Sequence, residues 1–305
     1  MEEFYIKEIE LHNYRRFENK VFRFNKNMNL LVGRNASGKT TVLEAVNVAL
    51  GAYLAAYKSY VPSRFVRNIS EDDVRRKNQQ TVQKDVLISP DIEQYPCYVG
   101  TKLIMGGKEL PEYKRILEKN GNRTKFASGS NPMQKQVVDW ETDKNLIYPL
   151  VLYLSSARLW NENNKSEFNY DIPNRADAYH RCLDPKRGMQ MPFNYIRYLK
   201  EIASQEKQGV DFPAYTLIMG AINKSMEEEL KPGEKIEYSL RYKGLALVEE
   251  DGTWIPFEGL SDGYRDVIKI VADIATRMCI LNPYLTEETL RRTPGVVIID
   301  ELDLS

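Results

Sequence analysis

The segment GRNASGKT, from Gly33 to Thr40, has residue types and spacing that suit phosphate binding. It matches the pattern G-x-x-x-x-G-K-[ST] and lies between a predicted apolar strand and a predicted helix. Its glycines allow the backbone to curl so that several N–H groups point at one phosphate, and the helix start adds partial positive charge. Lys39 can reach the β- and γ-phosphates, and the Thr40 hydroxyl can bind Mg²⁺. The predicted nucleotide-binding residues of this loop are Gly33, Arg34, Asn35, Ala36, Ser37, Gly38, Lys39, Thr40 and Thr41.

A second candidate site stands near the end of the sequence, at GVVIIDELDLS. The apolar β-branched run 296–299 predicts a central parallel strand, and Asp300 and Glu301 follow its carboxyl end. Open α/β sheets bind ligands at that end. We expect Asp300 to hold Mg²⁺, directly or through water, and Glu301 to polarise the attacking water. The alternative is a solvated strand end without chemistry.

A third motif, GLSDGYRD from Gly259 to Asp266, opens a long amphipathic helix. Ser261 is a natural N-cap residue, and the simplest interpretation is a capped helix with Gly263 in its first turn. The functional interpretation is an LSGGQ-like signature, which offers a serine hydroxyl, a glycine N–H and a helix N-terminus to a γ-phosphate. Because such a signature cannot reach its own phosphate loop, it predicts a head-to-tail dimer that encloses two nucleotides.

Strands and helices must position these motifs. Alternating apolar residues predict strands at the start of the chain, and the apolar segment Met28–Val32 predicts a buried strand before the phosphate loop. The segment after Thr40 predicts a helix that is apolar over most of its circumference. Residues 58–84 are polar and charged, which predicts a surface insertion, and a Gly-Gly turn predicts a hairpin after Cys97.

The second half of the chain also contains both predicted strands and predicted helices. An apolar strand is predicted within 146–160 (LIYPLVLYLSSARLW), helices between about Arg175 and Leu230, and alternating strands with an Asp-Gly turn after Lys235. The predicted domain division is a nucleotide-binding core (1–57 and 233–305), an insertion with a β-hairpin (58–145), a core strand and loop (146–174) and a helical lobe (175–232).

Composition restricts the class of protein. The 305 residues include 43 Lys and Arg against 43 Asp and Glu, so a generally basic, nucleic-acid-coating protein is not favoured. Three widely spaced cysteines without a C-x-x-C pair argue against a disulfide framework or a zinc hook. The sequence has neither a signal peptide nor an apolar run long enough to span a membrane, so we expect a cytoplasmic protein.

The chain resembles ABC-type ATPase heads of the RecF, SMC and OLD superfamily, particularly the bacterial group that includes the Septu anti-phage ATPase and retron-associated ATPases. The resemblance implies an α/β fold of the P-loop NTPase type with a mixed sheet, an antiparallel β subdomain and a helical insertion lobe. Long coiled-coil arms are absent, which argues against SMC proteins proper. The motifs that carry the resemblance are LHNYRRF, GRNASGKT, YLSSARLW, GLSDGYRD and VVIIDELDL.

The resemblance also implies roles for individual residues. Arg15 or Arg16 is expected near the nucleotide, although a surface pair at a strand end is an equal alternative. Contacts to the second copy are expected from Ser261, Gly263 and Arg265, with Asp303 near the dimer seam.

Two features of the family pattern are missing. These heads usually have a glutamine at the lobe junction, where this sequence offers Ser155 or Ser156. They also have a histidine after the Asp-Glu strand, so we expect the C-terminal part of the head to be missing from these 305 residues. His12 and His180 do not have the required position, and His180 is expected to be structural.

Three functions follow as alternatives. The first is an ATPase that binds ATP and Mg²⁺, forms a homodimer or higher homo-oligomer, and gates an effector encoded nearby, expected to be a nuclease in antiviral defence. The second is a DNA repair or recombination ATPase that clamps duplex DNA. The third is a nucleotide-dependent scaffold or sensor with little turnover.

Overall fold

The structure is a computed structural model that divides into two compact units between Leu146 and Ile147. Each unit is described by itself below. This division does not test the predicted boundaries of the core, the insertion and the helical lobe, which stay predictions. The described residues are 3–57, 61–62, 65–78, 81–83, 86–88, 91–121, 123–134, 146–155, 174–185, 190–205 and 213–301.

The first unit is built on an antiparallel sheet of six strands: β1 (Phe4–Tyr14), β2 (Phe17–Arg23), β7 (Cys97–Met105), β8 (Lys108–Glu109), β9 (Tyr113–Leu117) and β10 (Lys125–Phe126). Their order across the sheet is β10-β9-β7-β1-β2, and β8 also pairs with β7. Along β1 the apolar residues Phe4 and Ile6, then Ile9 and Leu11, are buried, and a register shift after Ile6 explains the interrupted alternation. The Gly-Gly turn predicted after Cys97 is confirmed and joins β7 to β8.

Helix α1 (Lys39–Leu54) packs against β1, β7 and β9. Its residues from Glu44 to Leu54 are all buried, as the apolar sequence predicts. The helix continues directly from the phosphate loop. The loop therefore stands on an element whose far end is fixed in the core of the first unit.

The segment Met28–Val32 was predicted to be a buried strand, and that prediction is wrong. It forms no strand, and Met28, Leu30 and Val32 are 75%, 72% and 84% exposed. A strand needs a neighbour to pair with its backbone N–H and C=O groups, and no strand of the described chain pairs with this segment. These three apolar side chains consequently remain exposed.

The prediction of a surface insertion at 58–84 also needs correction. Within it, Ile69, Asp73 and Val74 are buried, and Val74 bridges to Tyr14 of β1. A polar composition does not exclude burial, because arginines can compensate the charge of a buried carboxylate such as that of Asp73. Two short antiparallel pairs follow: β3 (Arg76–Asn78) with β6 (Asp91–Glu93), and β4 (Thr81–Gln83) with β5 (Val86–Ile88).

In the second unit, β11 (Leu150–Leu154) and β15 (Gly295–Ile299) form a parallel pair. A Cβ at Gly295 would collide with the carbonyl oxygen of Leu150, so a glycine permits the close approach at the start of the pair. The strand predicted at 296–299 and its parallel pairing are confirmed. The prediction that this strand is central in its sheet is not confirmed, because among the described residues β15 pairs with β11 alone and Val297 is 36% exposed.

Helices and a three-stranded antiparallel sheet complete the second unit, as the sequence predicts. Asn282 follows the long helix Asp262–Leu281 and exchanges two hydrogen bonds with the backbone of Tyr148, at 2.7 and 2.9 Å, which tie that helix to the segment before β11. None of the described helices is long and apolar enough to cross a membrane. The elements are α2 (Gln190–Gln205), α3 (Pro213–Ser225), β12 (Lys235–Ser239), β13 (Gly244–Val248), β14 (Trp254–Pro256), α4 (Asp262–Leu281) and α5 (Thr289–Arg292).

Candidate nucleotide-binding site

The phosphate loop curls as its glycine-rich sequence predicts. Ala36 and Gly38 have φ angles of 61° and 101°, in the left-handed region. The Ser37 N–H donates to the Arg34 carbonyl at 3.1 Å and closes a turn inside the loop. Gly38 is the N-cap residue of α1 and has no side chain to cap the helix, and the first turn carries no acidic residue. The helix start is therefore suited to an anionic ligand.

Lys39 lies over the loop that precedes it. Its Nζ donates to the carbonyl oxygen of Gly33 at 2.6 Å and to that of Arg34 at 3.3 Å. Thr40 follows on the exposed start of α1. The ammonium group and the Thr40 hydroxyl are thus held at the same end of one helix.

The turn between β1 and β2 contacts this loop. The Arg16 guanidinium donates to the Ala36 carbonyl. A Cβ at Gly38 would lie 2.8 Å from Arg16 Cδ and 2.9 Å from Phe17 Cζ, so only a glycine leaves room for both side chains. Phe17 contacts the phosphate loop, which the sequence did not indicate, because a phenylalanine on a strand is ordinarily part of the core.

Arg15 points to a different partner from Arg16. Its Nε donates to Asp73 Oδ1 at 2.9 Å, and its second guanidinium nitrogen lies 2.8 Å from the same oxygen. Of the two arginines expected near the nucleotide, only Arg16 contacts the loop. A direct nucleotide contact by Arg15 stays a prediction.

Asp73 is a buried carboxylate that the sequence analysis did not select. Arg67 donates to both of its oxygens, at 3.1 and 2.9 Å, and the Ser70 N–H donates to Oδ2 at 2.9 Å. Burial alone would raise the pKa of the Asp73 carboxyl, but Arg67, the Ser70 N–H and Arg15 together hold this pKa below its ordinary value. The one local signal is the Ser70–Asp73 spacing, which forms a capping box.

The signature segment opens α4 as predicted. The hydroxyl oxygen of Ser261 accepts from the Tyr264 N–H at 3.3 Å, which confirms its N-cap role. A hydroxyl that accepts the capping bond keeps its own proton available for donation. Arg265 donates to Asp262 in the same turn, and the Tyr264 hydroxyl donates to the Glu229 carbonyl at 2.8 Å. Gly263 lies between these contacts and is half-buried.

The Asp-Glu pair directly follows β15. The Asp300 N–H donates to the Leu154 carbonyl at 2.8 Å and extends the pairing with β11 by one residue. Asp300 is buried, whereas Glu301 is exposed and has a φ of 56°. Ser155 directly follows β11, and its hydroxyl donates to the Pro185 carbonyl. Ser156 and Asp303 lie outside the described residues.

The two histidines have structural contacts. The His12 ring stacks on Tyr98 with 4.8 Å between ring centroids. The His180 carbonyl accepts from the buried Arg277 side chain at 3.2 Å. Because this contact uses the backbone, the structural role expected for the His180 side chain stays a prediction.

The structure thus brings Arg16, the phosphate loop and the start of α1 together in the first unit. The signature segment and the Asp-Glu pair belong to the second unit. In the described part of the chain, no three His, Cys, Asp or Glu side chains form a cluster that could hold a metal ion.

Comparison with known proteins shows what the chain is similar to. The AAA_23 family, described as an AAA domain, matches residues 8–231. The probable ATPase of retron Ec83 from Escherichia coli is 23% identical over 98% of this chain and 63% of its own length. DNA replication and repair protein RecF from Pediococcus pentosaceus is 33% identical over 76% of this chain and 70% of its own length. Among solved structures, an SMC head domain from Thermotoga maritima matches with 14% identity and a TM-score of 0.43, over 97% of this chain and 89% of that one.

The chain spans slightly less than two thirds of the retron relatives, since it covers 63% of the Ec83 protein and 64% of the Vc95 protein from Vibrio cholerae. The family match covers well over half of the chain and includes the phosphate loop. The chain therefore belongs to the AAA domain family, is a relative of the RecF proteins, and is similar to the probable ATPases of retrons Ec83 and Vc95.

Proposed function

We propose that this chain binds ATP with Mg²⁺ at the loop Gly33–Thr40 and hydrolyses it within a dimer of two chains. The observation that carries the proposal is the arrangement of Lys39. Its ammonium group lies over a curled loop that leads into a helix start with neither a side-chain cap nor an acidic residue. This combination concentrates positive potential where phosphates would bind.

Each residue has a role in this proposal. The backbone N–H groups of the loop bind the phosphates, and Lys39 and Arg16 neutralise their charge. The Thr40 hydroxyl and the Asp300 carboxylate are oxygen donors of the kind that Mg²⁺ prefers, and Mg²⁺ usually keeps several waters, so a site with few protein ligands fits it. When bound, the metal would neutralise charge on the phosphate oxygens. Glu301 would orient the attacking water and accept its proton.

The signature segment supports a shared site. Ser261 keeps a hydroxyl proton, and the exposed N-terminus of α4 adds backbone N–H groups that can contact a γ-phosphate. We assign these contacts to the nucleotide bound by a second copy of the chain. Each ATP then bridges two subunits, so that ATP binding controls dimerisation and hydrolysis releases the dimer.

The similarity to the retron ATPases supports a role in which this cycle gates a partner effector, and we propose a nuclease in antiviral defence. The RecF relatives support a second candidate, an ATPase that acts on duplex DNA. Binding of a labelled duplex at increasing salt concentration separates the two candidates. Tight binding with a steep salt dependence supports the DNA candidate, and no binding at low salt eliminates it.

Turnover measured against protein concentration tests the shared site. If two chains complete each site, ATP turnover per chain rises with protein concentration until the dimer saturates. Turnover per chain that is constant at all concentrations, in a protein that remains monomeric with ATP bound, would contradict the proposal. Sedimentation with and without ATP and Mg²⁺ gives the oligomeric state under the same conditions.

A further inference from the structure

Asp73 belongs to a buried group of four charged side chains, the Asp73 cluster, formed by Arg15, Glu44, Arg67 and Asp73. The Asp73 side chain has no exposed surface, whereas the side chains of Arg15 and Arg67 are 30% and 18% exposed. Both arginines bond to the same carboxylate. One acid buried between two bases fixes the position of each base, because moving either would leave the acid partly uncompensated.

On one side, the Asp73 cluster holds the turn between β1 and β2. The Arg15 N–H donates to the Asp73 carbonyl at 2.7 Å while its guanidinium binds the Asp73 carboxylate. Arg15 has a φ of 48°, an uncommon conformation for an arginine, so these two contacts stabilise a turn that the sequence alone would not favour. Arg16 follows immediately and reaches the Ala36 carbonyl in the phosphate loop.

On the other side, the Asp73 cluster holds the helix that follows the loop. Arg67 Nε donates to Glu44 Oε2 at 3.0 Å. Glu44 lies on α1, about one turn after Thr40. The contacts therefore close a ring. From Asp73, one half runs through Arg15 and Arg16 to the phosphate loop. The other half runs from the loop along α1 to Glu44 and returns to Asp73 through Arg67.

We propose that Asp73 is a positioning residue for the phosphate loop, which acts by fixing Arg16 against the loop relative to α1. This inference rests on the proposed nucleotide site and names a residue that sets its affinity. Asp73 does not touch the loop. Its effect passes through Arg15 to Arg16 on one side and through Arg67 and Glu44 on the other.

A double-mutant cycle tests the inference. Asp73→Asn keeps the side-chain size but removes the charge that orders both arginines. We expect Asp73→Asn and Arg16→Ala each to weaken MgATP binding about 10-fold in calorimetry, since each disturbs one charge-assisted contact to the site. The double variant should bind about as weakly as either single variant, because Asp73 acts through Arg16. Binding by Asp73→Asn within about 2-fold of the wild type, or fully additive losses, would overturn the inference.

Asp273→Asn is the matched control, because Asp273 forms a similarly buried ion pair with Arg277, 2.8 Å apart, within α4 of the second unit. It should lower the melting temperature without changing ATP affinity. If it weakens ATP binding as much as Asp73→Asn does, the effect of Asp73 is general destabilisation and the inference fails. If Asp73→Asn does not fold, Arg67→Met takes its place, since it leaves Asp73 paired with Arg15. Its MgATP affinity is then measured alone and combined with Arg16→Ala, with the same expected and contradicting results.

Lys39→Ala separates this inference from the proposed function. If Lys39→Ala abolishes ATP binding while Asp73→Asn leaves it unchanged, the nucleotide site is correct and only the role of Asp73 is wrong. If Lys39→Ala leaves the affinity unchanged, the nucleotide site itself is wrong.

Discussion

The ammonium group of Lys39 donates a hydrogen bond of 2.6 Å to the carbonyl oxygen of Gly33, the first residue of the phosphate loop. A longer bond of 3.3 Å reaches the carbonyl of Arg34. These two neutral carbonyl oxygens hold the positive charge of Lys39 over the loop. A phosphate that enters the loop replaces them with a stronger, charge-assisted contact.

Gly38→Ala should damage both the stability and the ligand affinity of the loop. At a φ of 101° an alanine is strained, and its Cβ would also press on Arg16 and Phe17. Gly107→Ala is the control, since Gly107 has a φ of 75° and an added Cβ there would meet no atom within 4 Å. We expect the control to lose about 1–2 kcal/mol of unfolding free energy. Gly38→Ala should lose more and bind ATP at least about 10-fold more weakly, measured by denaturation and calorimetry.

Equal losses of stability in the two glycine variants, with unchanged ATP affinity, would show that Arg16 and Phe17 can move away from the loop. The close packing of the β1–β2 turn against the loop would then have no part in nucleotide binding.

Ser261→Arg should prevent ATP hydrolysis while leaving the ATP affinity of the single chain unchanged, because the proposed dimer assigns Ser261 to the nucleotide of the partner chain. Lys39→Ala inactivates the opposite half of each shared site. Mixing the two inactive variants should restore about a quarter of wild-type turnover, since half of the dimers are mixed and each contains one intact site.

Activity in the mixture is a result that a signature acting within its own chain cannot produce. A mixture without activity, although sedimentation shows that mixed dimers form, would contradict the shared site.

Asp73 should make the stability of the protein depend on pH in the acid range. Its pKa is lowered in the folded state, so its contribution is complete above the unfolded-state value of about 3.9 and disappears as the pH falls through the folded value. The difference in unfolding free energy between the wild type and Asp73→Asn should therefore be constant above about pH 5 and shrink below pH 4. Asp72→Asn, at the exposed neighbouring residue, serves as the control in urea titrations.

A difference between wild type and Asp73→Asn that stays constant from pH 6 down to pH 3 would show that the carboxylate charge of Asp73 does not stabilise the fold.

Glu301→Gln should remove ATP turnover and keep ATP binding. Glutamine preserves the size of the side chain but cannot accept a proton, so we expect single-turnover hydrolysis to fall at least about 100-fold and ATP affinity to stay within about 2-fold. Glu287→Gln, an exposed substitution in the same unit, is the control. Undiminished hydrolysis in Glu301→Gln would refute the role of Glu301 as the base.

Elements whose signal is local were predictable from the sequence. Ser261 caps α4 because its hydroxyl and the Tyr264 N–H are three residues apart, and the apolar run after Thr40 gives a buried α1. Met28–Val32 is apolar at four of its five residues, as a buried strand would be, but apolar composition does not supply a neighbouring strand, and a strand exists only with one. The apolar composition of this segment therefore predicted its conformation wrongly.

The Asp73 cluster could not be predicted for a related reason. Arg15 and Asp73 are 58 residues apart, and polar composition around Asp73 indicated an exposed segment. Burial of a carboxylate depends on bases brought by other parts of the chain. The residues proposed to bind the nucleotide directly were selected by motif, whereas those proposed to position them required the structure.

Equilibrium binding of MgATP to the wild type, Lys39→Ala and the exposed surface control Lys108→Ala tests the central claim most directly. Lys39 is the loop side chain that supplies a full charge to the β- and γ-phosphates in this account. We predict wild-type affinity for Lys108→Ala and at least about 100-fold weaker binding for Lys39→Ala, with its melting temperature close to that of the wild type. Equal ATP affinity in all three proteins would contradict the assignment of Gly33–Thr40 as the nucleotide-binding loop.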